Sequence, residues 1–389
     1  MVRFLTAGES HGQALTAILD GIPAGLPLHS EDIDRDLARR QQGYGRGARM
    51  KIEQDRVQIL SGVRHGRTLG SPIGLLIANR DWENWRTAMA VEPVEGRDEE
   101  LRRVTRPRPG HADLAGALKY GTHDARDVLE RASARETTAR VAVGAVCRAF
   151  LAALGIGVRS HTTALGPVTY PPGVEKTWEE IGAAEGTSLR CADADLECRM
   201  IEEIDRAKAA GDSVGGAFQV VARGVPPGLG SHRQWDQRLS ARLMATLGSI
   251  PSIRGVSIGA GAEASAAHGS EFHDPIEYDA TARRFTRPTN HAGGVEGGMS
   301  NGEEIRARVE VKPLSTLPRA LRSADLVTKE PFDAQVERTD VSAIAAAGVV
   351  GEAMTAYVLS SAALEKFGGD SLAETARNHR SYLDALRAY

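Results

Sequence analysis

The stretch GESHGQALTAILDGIP, residues 8–23, governs how the rest of the chain is read. An apolar run over residues 2–6 reads as a strand, so His11 stands at a strand end, flanked by a hydroxyl and two glycines. Glycine lets a ligand approach the main chain closely, and histidine has the ordinary pKa nearest neutrality, which suits proton transfer. A polar turn would use the same residues.

Outward from that turn, strands and helices mix without the βαβ alternation of a doubly wound parallel sheet. Ser30 can cap a helix over residues 31–41, and residues 51–53, 57–61 and 73–78 read as short strands of an antiparallel meander. Asp124 can cap a helix running to about residue 154, with Val141, Ala145, Val146, Ala149 and Phe150 on one buried face. Later strands are predicted over 217–223, 256–259 and 305–311, and a long Ala-rich helix over 341–367. Residues 170–212 turn acidic, carry Pro171-Pro172, and offer one amphipathic helix near 198–210. They read as a peripheral insertion in a single domain spanning 1–389.

A hydrophobic content of 41% suffices for a large core, and the net charge of −3 excludes a non-specific nucleic-acid binder. Positive charge is carried by 41 Arg against 7 Lys, a bias that genome base composition alone can produce, so placement carries the information. Cys147, Cys191 and Cys198 have no zinc spacing and fit no disulfide framework, which implies a reducing cytosol. Neither a signal peptide nor an apolar run of about 18 residues is present, so neither export nor a membrane span is expected.

Four further clusters look chemical. In Arg39-Arg40-Gln41-Gln42-Gly43-Tyr44-Gly45-Arg46-Gly47-Ala48-Arg49, a helix end explains the first two arginines by its dipole. Arg46 and Arg49 on a glycine-rich loop call for solvent or an anion. Arg106-Pro107-Arg108-Pro109-Gly110-His111-Ala112-Asp113 is a stiff approach to a second glycine-flanked histidine, or a structural turn before a helix capped by Asp113. On the helix after Asp124, Arg131 and Arg135 stand four apart, a repelling pair that calls for an anion or for salt bridges from Glu130 and Glu136. The fourth cluster joins the glycines of residues 293–302, Lys312-Pro313-Leu314-Ser315-Thr316 and Arg338-Thr339-Asp340. It matches neither a P-loop nor a dinucleotide fingerprint, and Asp340 can cap the last long helix.

In combination these motifs resemble the chorismate synthase family. GESHGQALTAILDGIP, ERASARETTARVAVG and RTDVSAIAAAGVVGEA are similar to its three signatures, with GYGRGARM, RPRPGHAD, GGVEGGMSNG and KPLST between them in the family's order. The resemblance implies an α+β fold, a β-α-β sandwich of antiparallel sheets and helices, and a cytoplasmic homotetramer. It implies elimination of phosphate from 5-enolpyruvylshikimate 3-phosphate, with reduced FMN required and no net redox change, in the shikimate pathway. NADPH enters as a reductant in bifunctional members. No nucleic acid or membrane partner is expected.

Carried over by motif, His11 and His111 look like proton donors and Asp340 like the carboxylate that assists removal of the ring hydrogen. Ser10, Arg49, Arg135 and Arg338 resemble the substrate clamp. Arg40 and Arg46 fall where NADPH binds. FMN contacts transfer to Arg131, Ala132, Ser133, Pro251, Ser252, Gly297, Lys312, Pro313, Leu314, Ser315, Thr316 and Arg338. Thr339, and the Pro251-Ser252 pair, depart from the commoner family residues. A substrate with two carboxylates and a phosphate explains the arginines, because guanidinium forks hold such anions while staying charged. Two competing classes are a non-catalytic binder of phosphorylated ligands, decided by phosphate release, and an NAD(P)H-dependent flavin oxidoreductase, disfavoured by the missing dinucleotide fingerprint.

Overall fold

The computed structural model describes residues 2–46, 54–94, 101–171, 173–336 and 340–389. β1 (Arg3–Ala7) pairs antiparallel with β2 (Ala14–Asp20), where Leu15, Ala17 and Leu19 are buried and Ile18 between them is exposed. That period of two assigns one face of the strand to the core. With β3 (Val57–Ile59) and β4 (Ile73–Ala78), these strands make an antiparallel sheet in the order β1-β2-β4-β3. A second antiparallel sheet contains β5 (Gly157–Leu165), β6 (Val168–Thr169), β7 (Gly216–Arg223), β8 (Ile253–Ile258) and β9 (Ile305–Val311), in the order β8-β9-β7-β5-β6.

The helices that matter are α1 (Ser30–Gln41), α2 (Asp113–Tyr120), α3 (Arg126–Ala132), α4 (Thr137–Ala153), α5 (Ala194–Ala209), α6 (Leu239–Gly248), α7 (Ile344–Phe367) and α8 (Leu372–Ala388). Helix α4 packs on the first sheet, α7 on the second, and the two pack on each other, giving the sheet–helix–sheet sandwich that the family resemblance implies. Glycine makes the helix contact possible: a Cβ on Gly144 would lie 2.2 Å from the Cβ of Ala353. Helix α7 has the length and apolarity to cross a membrane, yet 89% of its most apolar window is buried inside the chain, so here it is the core of the sandwich.

Several local expectations are corrected. The helix predicted from Asp124 to residue 154 is broken: Ser133 is extended, its Oγ accepts from the Arg135 N–H, and one 3-10 turn leads into α4. Arg131 and Arg135 therefore leave the chain on separate elements, and the repulsion expected of a helical pair is relieved. Asp340 does not cap α7, whose first residue is Ile344 with Ser342 Oγ accepting its N–H. Asp113 is already helical, with Ala112 at the cap, and α1 is capped at His29, whose N–H donates to Asp32, rather than at Ser30. The acidic stretch expected to be peripheral sends Tyr170, Leu189, Cys191, Leu196, Met200 and Ile204 into the main core. The strand expected at 51–53, and the anion-binding Arg49 and Arg338, lie outside the described residues.

Candidate active site

The GESHG turn is tied down from two sides. Glu130 of α3 accepts from the His11 backbone N–H at 2.8 Å, and both its carboxylate oxygens lie 3.0 Å from His11 Nδ1. The Ser10 N–H donates to the Glu130 carbonyl. Trp85 stacks on the imidazole at 3.8 Å between ring centres, and Asn79 Nδ2 donates to the carbonyls of Glu9 and Gly12. Ser133 Oγ, freed from a helix by the break, donates to Ser10 Oγ at 3.2 Å. Arg131 donates to the carbonyls of Gly8 and Thr6, bracing the strand end while staying partly exposed. It lines an open groove of about 560 Å³ with Ala132, Val128 and Tyr120. Burial alone would raise the Glu130 pKa, but His11 and Arg126 outweigh it and hold the carboxyl below its ordinary value.

On the other side of the break, Arg135 turns inward. Its Nε donates to Asn79 Oδ1 at 2.9 Å and its Nη1 to Asp55 Oδ1 at 2.6 Å. The second oxygen of Asp55 accepts from Arg40 Nη2 at 3.0 Å. Arg46 donates to the Arg40 carbonyl, and its Nε lies 2.9 Å from Asp340 Oδ2. Burial tends to raise the Asp55 pKa, yet Arg135 and Arg40 bring it below the ordinary carboxylate range. Arg40 is pulled down to about 10, first by burial and then by Arg135 and Arg46, and its buried Nε has no acceptor among the described residues. A continuous chain of polar contacts thus joins the GESHG turn to Asp340 within one subunit.

A third group closes the circuit. Asp113 accepts from Arg108 Nε at 2.9 Å and lies 2.5 Å from His111 Nδ1, while Arg108 Nη1 donates to Thr316 Oγ1 at 3.0 Å and Lys312 Nζ donates to the Gly110 carbonyl. The Lys312 N–H donates to the carbonyl of Ser252, a residue held at φ +71° outside the conformations usual for serine. Ser213 Oγ donates to the Leu314 carbonyl, the Val214 N–H to Val341 and the Val341 N–H to Gly45, which returns the path to Asp340. The His111 loop, residues 312–316, Ser252 and Asp340 are one neighbourhood. Gly297 stands apart: its hairpin meets the N-terminal end of α6, where the Leu239 N–H donates to Gly298, whereas Pro251 and Ser252 follow the other end, about 15 Å along the helix.

A family model described as chorismate synthase matches residues 2–364. The chain belongs to the chorismate synthase family. It is 54% identical over 392 residues to the chorismate synthase of Solibacter usitatus, with both chains fully covered. It is 52% identical to that of Thermobifida fusca, with 99% of each covered. A solved structure titled "Crystal Structure of Chorismate Synthase" superposes with a TM-score of 0.80 at 41% identity, covering 100% of this chain and 99% of the other. The chain is accordingly a lyase of the shikimate pathway that forms chorismate by eliminating phosphate from 5-enolpyruvylshikimate 3-phosphate, and the family requires reduced flavin.

Four site residues escaped sequence reasoning. Asp55 and Asn79 sit between motifs and carry no local signal. Trp85 is one of 4 tryptophans and follows a polar stretch. Glu130 was legible only as a partner for arginines, because nothing local to ERASARE indicates that it faces a histidine 119 positions earlier.

Proposed function

We propose that His11, His111 and Asp340 are the proton-handling groups of this chorismate synthase, and that Ser10, Arg135, Arg49 and Arg338 hold its substrate. The observation that carries the reading is the unbroken polar path from Glu9 and Gly12 through Asn79, Arg135, Asp55, Arg40 and Arg46 to Asp340. A polyanion of about three and a half to four charges needs several guanidiniums held at fixed angles, and shared carboxylates supply that fixing. Arg40 Nε, a buried donor without an acceptor among the described residues, is suited to an anion, which also supports Arg40 and Arg46 as contacts for NADPH where that reductant is used.

The residues fit a flavin. Arg131 and Ala132 border a groove walled by Val128 and Tyr120, Ser133 follows them in the chain with its Oγ on Ser10, and Lys312, Ser315 and Thr316 beside the His111 loop carry a cation and hydroxyls. Gly297, at the opposite end of α6 from Pro251 and Ser252, joins this set on its motif alone. With Pro251, Ser252, Pro313, Leu314 and Arg338 they would hold reduced FMN. When bound, the flavin supplies electron density to the allylic system from which phosphate departs. The chain's own part is to bind and orient the substrate through arginines, to hold protons on His11 and His111, to accept one at Asp340 and to exclude water.

A homotetramer in the cytoplasm is proposed with this reading, and equilibrium sedimentation tests the assembly. Anaerobic single-turnover assays of His111→Ala and Asp340→Asn test the roles: phosphate release slows in each, and wild-type release in both refutes the assignment. Chorismate formation with chemically reduced FMN, compared with NADPH plus oxidised FMN, decides whether the chain reduces its own flavin.

A further inference from the structure

Each histidine faces a carboxylate through Nδ1, and each of those carboxylates is also held by an arginine. On α3, Glu130 lies 3.0 Å from His11 Nδ1 and accepts from Arg126 Nη1 at 2.8 Å. At the start of α2, Asp113 lies 2.5 Å from His111 Nδ1 and accepts from Arg108 at its Nε and Nη2. Glu130 and Asp113 have side-chain exposures of 2% and 0%, so neither is diluted by solvent. Arginine stays charged and, with the histidine, holds each carboxyl below its ordinary pKa, so at neutral pH both carboxylates are ionised and can only accept. The ring nitrogen facing it must then carry the hydrogen. Arg108 Nη2 is also 3.1 Å from His111 Nδ1, but two donors side by side can share the one acceptor oxygen of Asp113.

The two arrangements are parts of one small body. A Cβ on Gly116 of α2 would fall 2.3 Å from Val128 Cγ1 of α3, so the helices touch at a glycine three residues after Asp113 and a valine two residues before Glu130. Val104, Ala117, Ala125, Leu129 and Leu326 form a small core of their own beneath them. The His11 ring is further fixed by Trp85, itself covered by Arg102 at 3.9 Å. Among the described residues, no side chain or backbone group bonds either Nε2.

We infer that Glu130 and Asp113 are positioning residues that lock His11 and His111 in the form protonated at Nδ1, leaving Nε2 as the atom through which each histidine exchanges a proton in the reaction. The inference rests on the proton-handling roles proposed above for the two histidines. It adds that one helix pair sets both rings, and that neither carboxylate touches substrate.

The test compares Glu130→Gln, His11→Ala and the double variant, with Asp113→Asn, His111→Ala and their double variant as a parallel set. If the carboxylates act through the rings, each amide variant loses about 10- to 100-fold in kcat with KM within about twofold of wild type. Each double variant is then no slower than its alanine parent, since a group acting through a missing ring has nothing left to contribute. An amide variant with wild-type kcat beside a crippled alanine variant overturns the inference and leaves the histidine roles standing, as do additive losses. Alanine variants with wild-type turnover overturn the roles and the inference together. Long-range proton–nitrogen spectra of histidine-labelled wild-type protein, assigned by subtraction with the alanine variants, give a readout independent of turnover. Both rings should carry hydrogen on Nδ1, and hydrogen on Nε2 alone in either ring overturns the proposal.

Discussion

Asp55→Ala is the sharpest perturbation of the anion site. The carboxylate is buried and touches two guanidiniums, Arg135 at 2.6 Å and Arg40 at 3.0 Å. At an effective dielectric near 20, each such charge pair is worth roughly 4 kcal/mol before desolvation. Burial of Asp55 itself opposes that gain, but the variant does not recover the full cost, because Arg40 and Arg135 remain buried and repel each other. Breaking a buried pair from one side costs about 3–5 kcal/mol, and that is the loss expected in urea unfolding at pH 7 with an unchanged dependence on denaturant. The sign in acid is fixed by the depressed Asp55 pKa. Its stabilisation is complete above the unfolded value near 4 and is lost as pH falls through the lower folded value, so wild type and variant converge in acid. Tens of millimolar inorganic phosphate should stabilise the variant more than wild type, because an anion can replace the missing charge by mass action. A loss under about 1 kcal/mol, or an equal response to phosphate, refutes the view that Asp55 holds two arginines in an anion-ready arrangement.

Other consequences are separable. Gly116→Ala forces a methyl into Val128 and should cost about 1–3 kcal/mol in thermal or urea unfolding, with kcat falling because both histidines hang on that helix contact. Burial pulls His161 down to about 4, so stability should decline by about 1.4 kcal/mol per pH unit as pH falls from 6.5 toward 4, where the unfolded imidazole takes up a proton that the folded one refuses. His161→Gln should flatten that window in a urea–pH series. Glu352→Ala strands Arg39, Arg148 and Arg190, which all reach that buried carboxylate, and should cost about 3–5 kcal/mol by urea unfolding while leaving the Asp55 contacts in place.

The parts of the fold legible in the sequence were those set by short-range periodicity. The strands over 73–78 and 305–311 match the predicted limits because the first is a short continuous apolar run bounded by turns and the second alternates apolar with polar residues. Helix α6 and the C-terminal α8 are absent from the sequence reading, although α8 carries a local start signal in Ser371, whose Oγ accepts from the Glu374 N–H. The break at Ser133 was invisible for another reason. A serine side chain that takes the Arg135 N–H competes with the helix only because Ser10 and the strand end are there to use the exposed hydroxyl and Arg131. Motif order located the candidate residues, whereas their partners Asp55, Asn79 and Trp85 come from unmarked positions that only the sandwich brings near.

Arg39 and Arg40 show what separates a structural arginine from a ligand-directed one. They are adjacent on α1, Arg40 is buried and Arg39 half-buried, and the helix dipole explains either equally well from sequence. Burial penalises both charges, but for Arg39 the nearby carboxylates of Glu352, Glu185 and Asp36 more than offset it, and the net effect is to hold its proton more tightly. Arg40 has Asp55, which it shares with Arg135, and the positive charges of Arg135 and Arg46 press on it until its pKa falls to about 10. One guanidinium is therefore neutralised by the fold while its neighbour sits in excess positive potential with a buried Nε lacking an acceptor among the described residues. A fold tolerates that excess where an incoming anion relieves it, so a phosphorylated substrate should raise the stability of the wild-type chain. The same ligand should add less to an Arg40→Met variant, in which the excess charge has been removed, and nothing comparable should be lost from Arg39→Met beyond the cost of stranding Glu352. Equal ligand-induced shifts in the unfolding midpoints of wild type and Arg40→Met would place the anion elsewhere.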